Sequence, residues 1–179
     1  MKIIAISGKA RSGKETVALF IKEKLEENNN RVLITHYADL LKYICITFFG
    51  WDGAKTERGR TLLQYVGTDV IRSKYPDFWV DFVSKFLSCF PTYWNYVLIP
   101  DARFPNEISK LKEDGYDVCH IKVIRPDFES PLTKKQQEHI SENAMRKVPA
   151  DFTVRNKGTL DDLRVAVNKL NLEDFNGRK

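Results

Sequence analysis

Residues Gly8-Lys9-Ala10-Arg11-Ser12-Gly13-Lys14 lie directly after the apolar run Ile3 to Ile6 and directly before a helical pattern from Glu15 to Glu27. Two glycines five positions apart, then a lysine, between a strand and a helix, is the arrangement of a phosphate-binding loop, or P-loop. Each part has a physical reason. The glycines let the main chain wrap closely around a polyphosphate with its N–H groups pointing inward. The following helix presents its positive end, and Lys14 adds a point charge for the β- and γ-phosphates. The segment Gly8, Lys9, Ala10, Arg11, Ser12, Gly13, Lys14, Glu15 and Thr16 is therefore the candidate phosphate cradle. It departs from the usual pattern once. A Ser or Thr normally follows the lysine and holds Mg²⁺, but here Glu15 stands there, followed by Thr16. Three readings stay open: Glu15 holds the metal directly or through water, Thr16 takes over, or Glu15 simply suits a helix N-terminus.

The rest of the chain is consistent with such a loop. Runs rich in β-branched residues at Ile3 to Ile6, Val32 to Ile34, Tyr96 to Ile99 and Val118 to Ile124, with a weaker one at Phe152 to Val154, read as buried strands. Helical patterns lie between them. Glu15 to Glu27 places Val17, Phe20, Ile21 and Leu25 near one face, Leu40 to Phe49 reads as an apolar helix, and Asp77 to Cys89 gathers Phe78, Phe82, Phe86 and Leu87. Phe104 to Glu113 and Leu160 to Leu170 complete the set. Strands alternating with helices predict an α/β fold of three layers, a mostly parallel five-stranded sheet with helices on both faces. One P-loop domain accounts for all 179 residues. Arg125 to Lys147 is the least core-like stretch and reads as an excursion from the sheet.

Two further segments carry candidate chemistry. Tyr96 to Pro100 runs into Asp101, and an acid at the carboxyl end of a strand in such a fold faces the nucleotide and helps hold Mg²⁺. Arg103 follows, and its planar fork suits phosphate oxygens. A helix cap and a structural ion pair are the respective alternatives. Arg60, Gln64, Thr68 and Arg72 recur every four residues, opposite Leu62, Val66 and Val70, giving a helix with an apolar back and a hydrogen-bonding front. Gly67 within this pattern suggests a close approach.

Composition excludes more than it assigns. Hydrophobic residues make up 42% and charged residues 30%, and Lys+Arg 29 against Asp+Glu 24 leaves a net charge of +5. A mildly basic chain suits an anionic partner, either a phosphorylated metabolite or a nucleic acid. Zinc-finger, RNP-like and densely basic motifs are lacking, which disfavours nucleic acid. No apolar run approaches the roughly 20 residues of a membrane span, and the N-terminus lacks a signal-peptide pattern. Three widely spaced cysteines argue for a reducing cytoplasm.

Taken in order, several motifs resemble those of the deoxynucleoside monophosphate kinase family of tailed phages and prophages. They are the loop with an acid after its lysine, Tyr37-Ala38-Asp39-Leu40-Leu41-Lys42, Leu63 to Arg72 followed by Phe78-Trp79, Asp101 to Glu107, His139-Ile140-Ser141-Glu142, and Asp151 to Thr159. The resemblance implies transfer of a phosphoryl group from ATP, with Mg²⁺, to a deoxynucleoside monophosphate. It implies an acceptor region over 38–94 and a lid over 125–147, with Asn156 near the ATP. Lys14, Arg72, Arg103 and Arg125 become the charge-stabilising set; Glu15, Thr16 and Asp101 become the metal set. Asp39, Lys42, Gln64, Thr68, Arg72, Trp79, His139 and Glu142 become the acceptor-binding set, with Trp79 equally able to pack in the core. Small-molecule nucleotides are the expected partners, with a homodimer left open. Another small-molecule kinase of this fold and a nucleotide-dependent switch are the competing readings. The switch is weakened because Asn156-Lys157-Gly158-Thr159 lacks the acid of an Asn-Lys-x-Asp motif.

Overall fold

A computed structural model describes residues 1–126 and 128–172. Five strands form one parallel sheet: β1 (Lys2–Ser7), β2 (Val32–Ile34), β3 (Tyr96–Ala102), β4 (Asp117–Ile124) and β5 (Phe152–Arg155). Their order across the sheet is β2-β3-β1-β4-β5. In the central strand Ile3 to Ile6 are fully buried because helices cover both faces. Its side chains alternate between two cores. Ile3 and Ala5 join Val97, Ile99, Leu41, Val80, Val83 and Leu87 on one face. Ile4 and Ile6 join Val17, Ile21, Leu98, Ile121, Leu163 and Val167 on the other.

The helices are α1 (Lys14–Glu27), α2 (Ala38–Phe49), α3 (Glu57–Gln64), α4 (Phe78–Ser88), α5 (Asn106–Glu113), α6 (Lys134–Glu138), α7 (Ile140–Asn143) and α8 (Leu160–Asn168). A π-helix, Tyr65–Arg72, continues α3 directly. From β1 the chain crosses to β2 at one edge, then returns to place β3 beside β1, and later adds β4 on the other side. The direction of winding therefore reverses around β1, which opens a crevice at the carboxyl ends of β1, β3 and β4. The P-loop emerges there.

Three sequence expectations change in the structure. The aromatic stripe Phe78, Phe82 and Phe86 of α4 faces outward, while Trp79, Val80, Val83 and Leu87 are buried. Both stripes have helical spacing, and the neighbouring sheet selects the one with β-branched residues. On α2, only Leu41 and Cys45 are buried, despite its apolar character. The four-residue polar stripe does not run along one α-helix, because from Tyr65 the chain is a π-helix. Partners there lie five residues apart, so a period of four drifts around the surface. Gly67 gives the close approach its position suggested, but to protein: a Cβ there would lie 2.5 Å from Leu41 Cδ2. Its carbonyl accepts the Trp79 Nε1–H at 2.9 Å.

Two details of the sheet position the site. Along the β1–β3 ladder, Ala5 pairs with Ile99 but Ser7 pairs with Ala102, so Pro100 and Asp101 together oppose Ile6. This bulge accommodates a proline, which has no N–H to donate, and it re-aims the following acid. Ser7, the residue before the P-loop, lies 2.7 Å through Oγ from Nε2 of the buried His120. His120 Nδ1 lies 2.7 Å from the Pro149 carbonyl, which can only accept, so Nδ1 carries the proton. Nε2 then accepts from the Ser7 hydroxyl, and burial lowers the pKa of the imidazole so that it stays neutral.

A histidine held neutral in the folded state takes up its proton at a lower pH than the unfolded chain does. Stability carried by His120 is therefore present above the ordinary histidine pKa and is lost as pH falls below it. His120→Gln should cost about 1–3 kcal/mol near pH 7.5, through a lost buried hydrogen bond. Its deficit relative to the parent should narrow by pH 5.5. Thermal unfolding at both pH values checks this.

Candidate active site

The P-loop takes its shape from three unusual backbone positions: Gly8 with φ 154°, Arg11 with φ 58° and Gly13 with φ 98°. Gly8 is also pressed against β4, since a Cβ there would lie 2.5 Å from the Val123 carbonyl oxygen. Lys14 bends back over the loop and donates through Nζ to the carbonyls of Gly8 (2.8 Å) and Lys9 (2.9 Å). Burial, with the nearby Arg103 second, lowers the Lys14 pKa to about 8. Ser12 Oγ is buried and has no hydrogen-bond partner among the described residues. Asn156, which follows β5, donates through Nδ2 to the Ser12 carbonyl at 2.9 Å and lies against Gly13. Asn156 thus buttresses the loop itself. Arg125 reaches the loop too, with Nη1 3.4 Å from the Arg11 carbonyl and its guanidinium over the Phe128 ring.

Asp101 lies one residue before the end of β3. Its Oδ1 and Oδ2 accept the main-chain N–H groups of Tyr37 and Ala38, each at 3.0 Å. The helix-cap alternative for Asp101 is therefore realised: it anchors the start of α2. Carboxylate lone pairs beyond these two bonds remain for other partners. Arg103 makes an ion pair through Nη1 with Glu142 of α7. The other oxygen of Glu142 accepts the Ala10 main-chain N–H at 3.3 Å. A mostly buried carboxylate from the excursion thus lies on an amide of the P-loop, beside Arg103 and within electrostatic reach of Lys14.

Glu107 organises the next layer. It is 2% exposed, and its Oε2 accepts the main-chain N–H groups of Arg103 (2.6 Å) and Phe104 (3.1 Å). Its Oε1 accepts from Arg72 Nη2 at 2.5 Å. Burial pushes its pKa up to about 7, against the pull of Arg72 and the two amides. Arg72 also donates to Asn106 Oδ1 (3.2 Å) and the Pro76 carbonyl (3.1 Å), and it stacks on Phe104. Arg72 therefore faces the Asp101-to-Glu107 segment, and the structure does not bring it onto the P-loop with Arg103 and Arg125. Trp79 is likewise in the core, 3% exposed, which satisfies its packing alternative.

At the start of α2, Asp39 accepts from Lys42 Nζ at 2.8 Å and from the His36 main chain at 3.1 Å. Burial opposes ionisation of Asp39, but the Lys42 and His36 contacts prevail and lower its pKa. Gln64 Nε2 donates to the Gln136 carbonyl at 3.3 Å, and Gln136 Nε2 donates to the Glu57 carbonyl and to Thr61 Oγ1. His139 lies 3.1 Å from Asp69 Oδ1 on the π-helix. Thr68 sits half-buried between these contacts in sequence. The excursion is thus docked at one end on α3 and the π-helix and at the other on the P-loop.

Sequence reasoning missed His36, Tyr37 and the hub role of Glu107. Tyr37 is buried and donates through its hydroxyl to the Glu107 carbonyl at 2.7 Å. His36 Nε2 lies 3.1 Å from both oxygens of Glu15. A polar His-Tyr pair straight after an apolar strand was the available signal.

The family model for deoxynucleotide monophosphate kinase matches residues 52–167. The deoxynucleotide monophosphate kinase of Enterobacteria phage T4 is 30% identical over 106 residues, which is 58% of this chain and 41% of that protein. The same enzyme of Escherichia phage RB69 is 26% identical over 113 residues, 62% of this chain and 43% of that protein. The matches thus span less than half the length of these relatives. Among solved structures, thymidylate kinase from Ehrlichia chaffeensis superposes with a TM-score of 0.52 at 14% identity, over 94% of this chain and 97% of that one. The Mycobacterium tuberculosis APS kinase in complex with AMPPNP and APS gives 0.51 at 13% identity, over 93% and 95%. At such identities the likeness is one of fold: a parallel α/β sheet of the P-loop kinase type.

Replacing Glu107 with Gln keeps its shape but leaves Arg72 as an unpaired, mostly buried charge. This should cost about 3–5 kcal/mol of folding stability. Urea unfolding should show a lower midpoint with an unchanged slope.

Proposed function

The chain belongs to the deoxynucleotide monophosphate kinase family, and from that premise we propose that it transfers the γ-phosphoryl group of ATP to a deoxynucleoside monophosphate, giving ADP and the diphosphate. The observation that carries this reading is the anion-binding character of the P-loop. A side-chain carboxylate, that of Glu142, rests on the Ala10 amide, paired with Arg103 and within electrostatic reach of the Lys14 ammonium. A terminal phosphate of ATP has the same charge sign and stronger acceptor oxygens. The unpartnered Ser12 hydroxyl, buried in the loop, adds a donor that a phosphate oxygen would satisfy.

Phosphoryl transfer relies on positioning and charge neutralisation rather than on a covalent nucleophile. Residues Gly8 to Thr16 hold the phosphates, with Asn156 fixing the loop from behind. Lys14 exchanges its carbonyl partners for the transferred group. Arg103 and Arg125 flank the loop and stabilise charge that builds up between donor and acceptor. Arg72 works one step back, holding Glu107 and through it the Arg103 backbone. Asp39, Lys42, Gln64, Thr68 and His139 line the acceptor side, on α2, α3, the π-helix and the lid. The acceptor phosphate is ionised at neutral pH, so no general base is required.

Magnesium fits the donor set. Glu15, Thr16 and Asp101 offer hard oxygens. That is the pattern for Mg²⁺ held by one or two side chains together with nucleotide phosphates. When bound, it would neutralise charge on the phosphates. Glu15 would hold it, with Thr16 and the spare lone pairs of Asp101 ordering its waters. The three cysteines are free, which suits a reducing cytoplasm. No helix among the described residues is long and apolar enough to cross a membrane.

A coupled ADP-release assay across dTMP, dGMP, dCMP, dAMP and their ribose counterparts should show turnover with deoxynucleotides. Turnover with sugars or other phosphorylated acceptors instead would assign a different kinase of this fold. Lys14→Ala should lower kcat about 10²–10³-fold, the usual cost of one electrostatic donor at a transition state. Glu142→Gln removes the resident charge and should tighten AMPPNP binding about tenfold by calorimetry, the equivalent of ~1.4 kcal/mol.

A further inference from the structure

The position after the P-loop lysine usually carries a neutral hydroxyl. A carboxylate there adds negative charge beside a polyphosphate site, and a side chain on an exposed helix turn is free to rotate. A partner within hydrogen-bond reach would aim it. We propose that His36 is that partner, a positioning residue that holds Glu15 for the magnesium-nucleotide and links it to the acceptor side of the site. The inference rests on the reading of Glu15 as the metal-side acid.

His36 lies between β2 and α2, and its side chain is 21% exposed against 59% for Glu15. The imidazole is therefore the fixed member of the pair. Its Nε2 is equidistant, 3.1 Å, from the two Glu15 oxygens. That approach restrains rotation of the carboxylate and leaves outer lone pairs on both oxygens open to a hard cation. The opposite ring nitrogen, Nδ1, is 3.2 Å from Asp39 Oδ2, and the His36 main-chain N–H donates to the same oxygen at 3.1 Å. Lys42 completes the series on Asp39 Oδ1 at 2.8 Å. A continuous polar chain, Glu15–His36–Asp39–Lys42, thus runs from the first turn of α1 to the first turns of α2. It joins the residue beside the P-loop lysine to two residues assigned to the acceptor. Loss of a partner that orients a metal-binding side chain typically weakens metal affinity about 10–100-fold.

The test is Mn²⁺ binding to the full chain with AMPPNP, read from the electron paramagnetic resonance signal of free Mn²⁺, so that turnover is not the readout. His36→Ala should weaken Mn²⁺ binding about 10–100-fold, and His36→Gln, which retains one donor, should recover most of it. Glu15→Gln should weaken it comparably. The double variant should be no worse than Glu15→Gln alone, because the two residues act as a unit. If Glu15→Gln weakens binding and His36→Ala does not, His36 is not the positioning residue and the metal role of Glu15 stands. If Glu15→Gln has no effect, the metal role fails and the inference fails with it. Additive losses, or losses that merely track the unfolded fraction measured by thermal melting, overturn the positioning role.

Discussion

The buried carboxylate of Glu107 is the contact on which the arrangement of the π-helix, the start of α2 and the turn after β3 depends. A lone carboxylate at that depth would take up a proton, and burial already moves its pKa to about 7. It stays in place because each oxygen has committed donors: Arg72 on one, the amides of Arg103 and Phe104 on the other. Its own carbonyl accepts the Tyr37 hydroxyl. One residue thereby ties the π-helix, the start of α2 and the turn after β3 into a single unit. Arg72 and Arg103, similar as charges in the sequence, acquire different tasks from it. The first is consumed in holding the hub, and the second is left facing the loop.

The P-loop half works on a different principle. Its cations and amides are arranged for an anion, and burial makes holding the Lys14 charge costly, as its lowered pKa records. The chain supplies a carboxylate of its own, Glu142, to this concentration of positive potential. The segment that carries Glu142 is also fastened to α3 and the π-helix through Gln136 and His139. Displacement of Glu142 by a phosphate would thus be felt at α3 and the π-helix. Glu15 poses the opposite problem, an extra negative charge at the loop, and His36 Nε2 lies 3.1 Å from both of its oxygens.

Much of the scaffold was legible because it depends on local pattern. The five strands, the loop and the helical segments follow from apolar runs and glycine spacing, and the parallel order agrees with the fold those runs predict. Face assignments were less secure. On α4 two stripes of equal helical period compete, Phe78, Phe82 and Phe86 against Trp79, Val80, Val83 and Leu87, and only packing against the sheet separates them. The stripe from Arg60 to Arg72 was read with an α-helical period, which the switch to a π-helix at Tyr65 invalidates for its second half.

The sequence by itself determined that Gly8 to Lys14 form a glycine-bounded loop between β1 and α1, the pattern of a phosphate-binding loop. Glycine spacing, strand and helix are all within a few residues of one another, so their geometry is local. It also marked Asp101, Arg103, His139 and Glu142 as residues of interest, without their partners. Only the tertiary structure decided that Asp101 caps α2, that Arg103 meets Glu142, that Arg72 belongs to Glu107, and that His36 lies on Glu15. These pairs join residues 21 to 64 positions apart in the chain. Charge and hydrogen-bonding capacity are properties of a residue, but which donor an acid meets depends on how the strands are ordered and where a bulge turns the chain.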